Sequence, residues 1–436
     1  MTASTQQETT SGLFAFLAPF KTRNFRLLWI GEAISLTGDQ FYFIALPWLV
    51  LQLTHSALAV GTVLAVSGVP RAVFMLVGGA LTDRFSPRKL MFYSNIIRMG
   101  LVTLLAILLF ANQINLFWVY VFAFFFGVAD AFFYPAQNAI VPQLVEDEYL
   151  EQANAIVSVT SYLTIFAAPV FAGLLIANFS TEVVAAENGV EEIPQLTGLA
   201  WAFLIDGLTF IASAMTLWRI KTMNPPEQAE EGLWSSIRGV LVQVWKDPIL
   251  RIFYSLVGGV AFLVLGPIQV GIPVLSDSRF VGGAVAFGTV LSAYGGGALL
   301  GSILGGILSA PRPRWLGYVL LAVTSLLGFS LISLAFIQTA LIAAVVMAII
   351  GTCFGYITVL GITWLQRRTP QEELGRMMSL LVLASVGLFP ISLALAGFFI
   401  ELSTEGLFVG AGAMILIITL ASVFHPAVPR MGIIKD

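Results

Sequence analysis

Two stretches of this chain repeat each other: EDEYLEQANAIVSVTSYLTIFAAPVFAGLL at residues 146–175 and PQEELGRMMSLLVLASVGLFPISLALAGFF at residues 370–399. They lie 224 residues apart, an offset that pairs Glu148 with Glu372 and Gly173 with Gly397. Each begins with acidic residues and continues as an apolar run that is long enough to cross a bilayer as a helix. The duplication therefore predicts that equivalent membrane-spanning helices occur in both halves of the chain.

Two further pairs extend the repeat. KTRNFRLLW from Lys21 matches KDPILRIFY from Lys246 at an offset of 225, and GGALTDRFSPRK from Gly78 matches GGILSAPRPR from Gly305 at an offset of 227. Six spans, an even number, fit between equivalent positions, so both halves have the same orientation in the membrane. This predicts a parallel repeat about an axis along the membrane normal, an arrangement used for alternating access to a site near the midplane.

The composition indicates that lipid covers most of the surface. Of the 436 residues, 58% are hydrophobic and 10% are charged, and the mean hydropathy is +0.92. An ordinary soluble domain is about one quarter charged. Segments of about 20 apolar residues predict twelve spans, near residues 26–52, 57–82, 89–110, 116–141, 150–178, 198–219, 250–275, 283–309, 315–337, 340–365, 374–400 and 405–425.

Lysine and arginine residues predict the orientation. With twelve spans, 18 of the 21 basic residues fall on the side that holds both termini, and the opposite loops keep only Arg279. Basic loops favour the cytoplasm, so we expect a multi-pass protein of the cell (inner or plasma) membrane with both termini cytoplasmic. The N-terminus lacks the pattern of a cleaved signal peptide, so insertion is expected to begin with the first span.

The same pattern predicts the domain organisation. It comprises a cytoplasmic N-terminal segment (1–24), a first six-helix bundle (25–220), a cytoplasmic linker with an amphipathic helix (221–247), a second six-helix bundle (248–426) and a cytoplasmic tail (427–436). The predicted fold class is all-α integral membrane, with twelve transmembrane helices in two pseudo-symmetric six-helix bundles.

Several kinds of site are not supported by the sequence. No lysine follows a glycine, so a Walker-type phosphate loop is absent, and one cysteine and two distant histidines predict neither a disulfide framework nor a metal cluster. A membrane enzyme is the rival class, because an acidic loop predicted on the non-cytoplasmic side carries four glutamates. That loop lacks a histidine or another base, so the sequence favours a protein that is not an enzyme and needs no cofactor.

Short motifs resemble a known family over essentially the whole chain. Gly79-Ala-Leu-Thr-Asp83-Arg84-Phe-Ser-Pro-Arg88-Lys89 is similar to the cytoplasmic loop motif of the major facilitator superfamily, although Ser86 and Pro87 depart from its usual Gly and Arg. Further similar stretches are Asp130-Ala-Phe-Phe-Tyr-Pro135-Ala, Pro142-Gln-Leu-Val, Gln152-Ala-Asn154 and Asp206-Gly-Leu-Thr-Phe210. Together they resemble the drug:proton antiporter branch that contains macrolide efflux proteins and the enterobactin exporter.

The resemblance implies a gating function for the loop motif. In the family the aspartate of this motif latches the two halves on the cytoplasmic side, which here falls on Asp83. Gly79 permits close packing, while Arg84, Arg88 and Lys89 supply the basic turn. The alternative is that these charges only enforce topology. The equivalent loop of the second half has lost the aspartate.

Charged residues within spans are costly and usually functional. The set is Glu32, Asp39, Arg71, Arg98, Asp130 and Asp206, and all lie in the first half. Four acids face two arginines, so we expect one or two carboxyl groups to exchange protons during a transport cycle. We assign Asp39, Asp130, Glu32, Arg98 and Arg71 to proton coupling or the substrate cavity. The alternatives are that both arginines only join helices and that Asp206 is structural.

Aromatic and small residues supply the remaining candidates. Phe126, Phe133 and Tyr134 are candidates for the hydrophobic wall of a cavity. The alternative is that they contact lipid or neighbouring helices. Gly297, Gly301 and Gly305 recur every four residues, which predicts close helix packing.

The resulting functional prediction is secondary active transport. The parallel repeat, the lack of a nucleotide site and the surplus acids favour a proton-coupled antiporter for small hydrophobic or amphipathic, drug-like molecules (multidrug efflux). The export direction is implied by the resemblance alone. A siderophore exporter and a lysolipid flippase on the same fold stay open as alternatives. The expected partners are a small-molecule substrate, protons and the lipid bilayer, with no nucleic acid, and the chain is expected to be a monomer.

Overall fold

The computed structural model describes residues 16–179, 196–221, 244–308 and 311–431, and their regular elements are helices. The α-helices of these ranges are α1 (Arg23–Thr54), α2 (Ala57–Arg84), α3 (Pro87–Phe110), α4 (Leu116–Ile140), α5 (Leu150–Phe179), α6 (Thr197–Arg219), α7 (Pro248–Ser278), α8 (Ala284–Ile307), α9 (Leu316–Leu334), α10 (Ala340–Arg368), α11 (Gln371–Val386), α12 (Phe389–Leu402) and α13 (Thr404–Val423).

Within the described residues, twelve helical segments are long and apolar enough to cross a membrane, as the sequence predicts. The eleventh span is divided into α11 and α12, which are separated at Gly387 and Leu388. Pro390 lies in the first turn of α12. Proline lacks the N–H that would continue a preceding helix, but it fits a first helical turn. The interruption therefore follows from the position of this proline.

The helices pack as two related groups, α1–α6 and α7–α13. Equivalent contacts confirm the repeat. A Cβ atom on Gly127 of α4 would strike the backbone carbonyl of Ser67 on α2, and one on Gly351 of α10 would strike that of Tyr294 on α8. These pairs are related by offsets of 224 for α4 and α10 and 227 for α2 and α8. The fold is thus two pseudo-symmetric six-span bundles.

The two halves contact each other through glycines. Gly61 of α2 lies against the carbonyl of Leu393 and the Cα of Gly397 on α12. The equivalent Gly288 of α8 lies against the carbonyl of Pro169 and the Cα of Gly173 on α5. Small residues allow helix backbones to approach this closely in a membrane. The repeated sequence that pairs Gly173 with Gly397 therefore supplies both crossings.

We call the end of the molecule where α1 begins and α10 ends the basic end, and the other the opposite end. The hydrogen bonds between described residues of the two halves lie toward the opposite end. The Gln52 amide donates to Asp277 (3.0 Å), and the Ser56 hydroxyl and the Leu58 N–H donate to Glu401. The Val170 N–H donates to Ser292 (3.1 Å). The halves are thus fastened together at the opposite end.

The glycine ladder of α8 has the predicted packing role. Gly297 and Gly301 face the carbonyls of Ala348 and Thr352 on α10, and Gly305 faces Val359. The predicted amphipathic helix of the linker lies mostly outside the described residues. The boundaries of the predicted domains stay a prediction.

Adding one methyl group at a crossing between the halves should destabilise the protein. A Cβ at Gly397 would lie 2.7 Å from the Ala57 carbonyl oxygen, so the Gly397→Ala variant must shift a backbone. We expect it to lower the free energy of unfolding by about 1–3 kcal/mol. The measurement is unfolding of the protein by titration with a denaturing detergent in mixed micelles.

Gly410→Ala is the matched control, because nothing lies within 4 Å of the added Cβ there. Alanine has the higher helix propensity at either position, so the control should be at least as stable as the parent chain. Equal stability of the two variants would contradict the close crossing.

Candidate functional site

The six predicted intramembrane charges come together inside the first half. Glu32 and Asp39 lie on one face of α1, seven residues apart, and Arg71, Arg98, Asp130 and Asp206 come from α2, α3, α4 and α6. We call these six residues the ion cluster. Five helices of one half therefore contribute charged side chains to one buried region, and ion pairs join four of them, α1 to α4.

Asp130 holds both arginines. Its two carboxylate oxygens contact Arg71 at 2.5 Å and Arg98 at 3.0 Å, and the residue is 2% exposed. A buried carboxylate between two guanidinium groups joins α2, α3 and α4 and leaves one net positive charge on the three groups. This geometry fits the expectation that the arginines neutralise an acid between helices.

Arg98 is buried on all sides. Besides Asp130 it contacts Asp39 at 3.5 Å and donates to the amide oxygen of Asn95, whose own amide donates to Ser213 at 2.9 Å. Its guanidinium carbon lies 4.0 Å from the ring centroid of Phe133 and 4.4 Å from that of Phe210. Aromatic faces attract cations, so α4 and α6 supply two rings that help to hold this charge.

Asp39 and Glu32 are held less tightly than Asp130. The only ion pair of Asp39 with a described residue is the 3.5 Å contact with Arg98, and its side chain is 11% exposed. Glu32 accepts a hydrogen bond from the Gln137 amide on α4, while its other carboxylate oxygen has no partner among the described residues. The two carboxyl groups of α1 therefore have fewer polar contacts than Asp130.

Asp206 has the least compensated position of the cluster. It is fully buried, and neither carboxylate oxygen has a hydrogen-bond partner among the described residues. The nearby Thr209 hydroxyl donates to the backbone carbonyl of Asp206 instead, at 2.7 Å. Burying an unpaired charge is expensive, so an ionised carboxylate at this position would be costly.

Arg71 lies where the two halves meet. It lines a cavity of about 50 Å³ together with Tyr42 and Ser67 of the first half and Gln269 and Phe389 of the second. The Nε atom of Arg71 has no partner among the described residues. Gln269 was missed from sequence, although it is a lone amide in the apolar middle of α7, which is a usable signal.

The aromatic candidates surround the arginines. Phe126 stacks on Tyr42 with ring centroids 4.0 Å apart, Phe133 covers Arg98, and the Tyr134 ring lies 5.9 Å from the guanidinium of Arg71. Phe126 and Phe133 are each 2% exposed. Their assignment to a cavity wall stays a prediction.

The basic loop motif is described in part. Gly79, Asp83 and Arg84 belong to α2, but their side chains lie outside the described structure. Arg88 donates to the carbonyl of Ile220 at 2.6 Å, just past the end of α6, and Lys89 is exposed. A guanidinium at a helix C-terminus is favoured by the helix dipole. Arg88 therefore fastens α3 to α6, while the gating role of the motif stays a prediction.

The second half contains a larger cavity of about 290 Å³ and of different chemistry, which we call the second-half cavity. It is lined by α7, α9, α10 and α11 and by Met431. No charged residue lines it, and three hydroxyl groups interrupt its carbon surface. Within the described residues, no three His, Cys, Asp or Glu side chains are grouped as metal ligands.

A family model described as the Major Facilitator Superfamily matches residues 28–388. The chain belongs to the Major Facilitator Superfamily. It is therefore a multi-pass membrane transporter with twelve spans, and its relatives are transporters rather than enzymes.

Curated relatives within the superfamily are exporters. The enterobactin exporter EntS of Escherichia coli O1:K1 / APEC is 26% identical over 381 residues, which cover 86% of this chain and 84% of that protein. EntS of Escherichia coli O139:H28 (strain E24377A / ETEC) is 25% identical over 379 residues, with the same coverage.

Solved structures of the superfamily have the same fold. A POT family transporter in complex with 5-aminolevulinic acid has a TM-score of 0.69 at 13% identity, over 93% of this chain and 97% of that one. A bacterial homologue of the iron transporter ferroportin, in an inward-facing state, has a TM-score of 0.68 at 14% identity, over 92% and 99%.

The ion cluster predicts different costs for two similar substitutions. Asp130→Asn removes the partner of two buried arginines, and we expect a loss of about 3–5 kcal/mol in the free energy of unfolding. Asp206→Asn removes no ion pair or side-chain hydrogen bond to a described residue, so its change should stay within about 1 kcal/mol. Unfolding in mixed micelles of both variants gives the comparison.

The reverse order of stabilities would contradict the assignment of Asp130 as the residue that holds the cluster together. Asp147→Asn, in the loop before α5, is the control for loss of an acid at a water-facing position.

Proposed function

We propose that this transporter exports small hydrophobic or amphipathic molecules by alternating access and that proton influx drives the export. The observation that carries the proposal is the different chemistry of the interiors of the two halves. The first half contains four buried acids and two arginines, whereas the second contains an uncharged cavity of about 290 Å³. Charged groups at membrane depth commonly form proton relays.

The proposed orientation places the basic end in the cytoplasm of a cell whose plasma or inner membrane holds the protein. The distribution of lysine and arginine supports this orientation. Glycine crossings and hydrogen bonds then fasten the halves on the outer side. Such a state would receive its cargo from the cytoplasm, and the similar ferroportin homologue is inward-facing.

The proposed proton step centres on Asp39 and Arg98. Arg98 is shared between Asp39 at 3.5 Å and Asp130 at 3.0 Å. A proton on Asp39 cancels its attraction for Arg98 and leaves the arginine with Asp130 alone. Arg98 then no longer bridges Asp39 on α1 and Asp130 on α4. Proton binding therefore weakens the contact of α1 with α3 and α4. Glu32, paired with Gln137, and Arg71, at the contact between halves, are the proposed supporting members.

The loop motif supplies the proposed cytoplasmic latch. In this structure the halves are hydrogen-bonded at the opposite end, whereas the loop motif lies at the basic end. Asp83 would join the halves in the outward-open state, and Arg88 already fixes the neighbouring helices α3 and α6.

Siderophore export is the second candidate, and the EntS relatives are the observation that favours it. The second-half cavity favours an uncharged, carbon-rich cargo over an oxygen-rich iron ligand, because no charged or amide side chain lines it. A lysolipid flippase is the third candidate on this fold. We further propose that the chain acts as a monomer.

Transport in proteoliposomes tests the coupling. With the basic end outside, an acidic lumen should drive uptake of chloramphenicol, an uncharged amphipathic aromatic compound, by the parent protein, and collapse of the pH gradient should abolish it. Asp39→Asn should lose at least tenfold of this driven uptake, because its side chain no longer exchanges a proton. Counterflow at equal pH should persist, because the cavity and the helix crossings are unchanged.

Uptake that does not respond to the pH gradient would overturn proton coupling, and driven uptake by Asp39→Asn would overturn the assigned carrier. Asp147→Asn is the matched control, since Asp147 lies in the loop before α5. Competition by enterobactin or by lysophosphatidylcholine, without competition by hydrophobic compounds, would favour the siderophore exporter or the flippase instead.

A further inference from the structure

The ion cluster has a structural counterpart in the second half. Matched glycine contacts align α4 with α10 at an offset of 224 and α2 with α8 at 227, and the repeated Lys21 and Lys246 segments align α1 with α7 at 225. The interior of the first half that holds the charges therefore corresponds to an interior region between α7, α9 and α10.

The aligned counterparts carry no charge. Asp130 corresponds to Phe354, Asp39 to Val264, Glu32 to Val257, Arg71 to Ala298, Tyr134 to Thr358 and Gln137 to Gly361, so polar groups have been replaced by carbon or by a small hydroxyl. All but Val264 and Ala298 line the second-half cavity.

Smaller side chains at two equivalent positions contribute to the space of the cavity. Arg98 is the largest fully buried side chain among the described residues, and with Phe133 it occupies the space between α3 and α4. In the second half, Gly361 and Thr358 stand where Gln137 and Tyr134 stand in the first. Protein interiors are packed to crystal-like density, so a recess of about 290 Å³ between these helices has room for a ligand.

The lining selects an uncharged ligand. The hydroxyls of Thr324, Thr358 and Ser385 each donate to a carbonyl of their own helix at 2.8–2.9 Å, which leaves them as weak acceptors only. A carbon-lined cavity holds water poorly and binds apolar molecules. A charged group would have no partner there.

The volume selects the size of the ligand. An apolar cavity of about 150 Å³ holds one benzene ring, so a cavity of about 290 Å³ matches two rings. We propose that the second-half cavity binds the uncharged, two-ring aromatic part of the transported molecule. This inference rests on the proposed export function and gives it a substrate class.

The position of the cavity suits cargo that arrives at the basic end. Its lining on α7 runs from Phe253 to Leu265 and on α10 from Phe354 to Ile362, nearer the basic end of each helix than the opposite end. The halves are fastened at the opposite end, so the cavity lies on the side where separation of the halves gives access. It also lies at the depth of its counterpart, the ion cluster.

Binding of prodan, an uncharged fused two-ring fluorophore, tests the site. Equilibrium dialysis compares the parent protein in lipid nanodiscs with empty nanodiscs, which removes partition into lipid. We expect one saturable site per chain, with weak competition by 1-naphthalenesulfonate, because the sulfonate charge finds no partner in the cavity.

Thr358→Tyr installs the residue of the equivalent first-half position and fills the cavity. We expect at least a tenfold loss of prodan affinity, and Ser385→Phe fills the same space from α11 as a second variant. Thr358→Val keeps the volume, and Val345→Tyr places the same ring on the 56% exposed face of α10. Both controls should bind within twofold of the parent.

Unchanged binding in Thr358→Tyr and Ser385→Phe would overturn the proposal. Native mass spectrometry that shows a phospholipid retained by the parent and lost from Thr358→Tyr, with no prodan site, would overturn it in favour of an acyl chain. If pH-driven transport fails while prodan binding still depends on position 358, the export function fails and the site stands. If pH-driven transport succeeds and substitutions at position 358 leave prodan binding unchanged, only the proposed binding site is wrong.

Discussion

An arginine at the depth of a membrane keeps its charge and must be given partners, because no bulk water is available there. Arg98 receives two carboxylates, one amide and the faces of two aromatic rings, contributed by α1, α3, α4 and α6. The same carboxylate that holds Arg98 also holds Arg71 from α2. The interior of the first half is therefore organised around the charge of Arg98.

The second half packs the equivalent helices together without charged side chains at the equivalent interior positions. Its helices follow the same path, as the matched contacts of Gly127 with Ser67 and of Gly351 with Tyr294 demonstrate, but the equivalent interior positions are apolar. Gly361 and Thr358 stand where the first half has the larger Gln137 and Tyr134, and both line the second-half cavity. One duplicated scaffold thus contains an ionic interior and an apolar interior at the same depth.

The contact between the halves depends on glycine. At Gly61 with Gly397, and at Gly173 with Gly288, backbone lies directly against backbone. Such crossings can form and separate without rearranging long side chains, which fits the proposed alternating access. The hydrogen bonds of Glu401 to Ser56 and Leu58 lie at the end of one of these crossings and add polar fastening there.

The sequence by itself determined the twelve spans, the parallel repeat and the set of buried charges, because hydropathy, offsets and ionisable residues in apolar runs are local or periodic signals. It did not determine which acid holds which arginine: Asp39 and Asp130 have similar sequence surroundings, yet only Asp130 lies between both guanidinium groups. Nor did it reveal the unpaired position of Asp206, the contribution of Gln269 or the second-half cavity. These depend on the rotation and spacing of helices that are distant in the chain, and a void is made by residues that are absent, which only the tertiary structure decides.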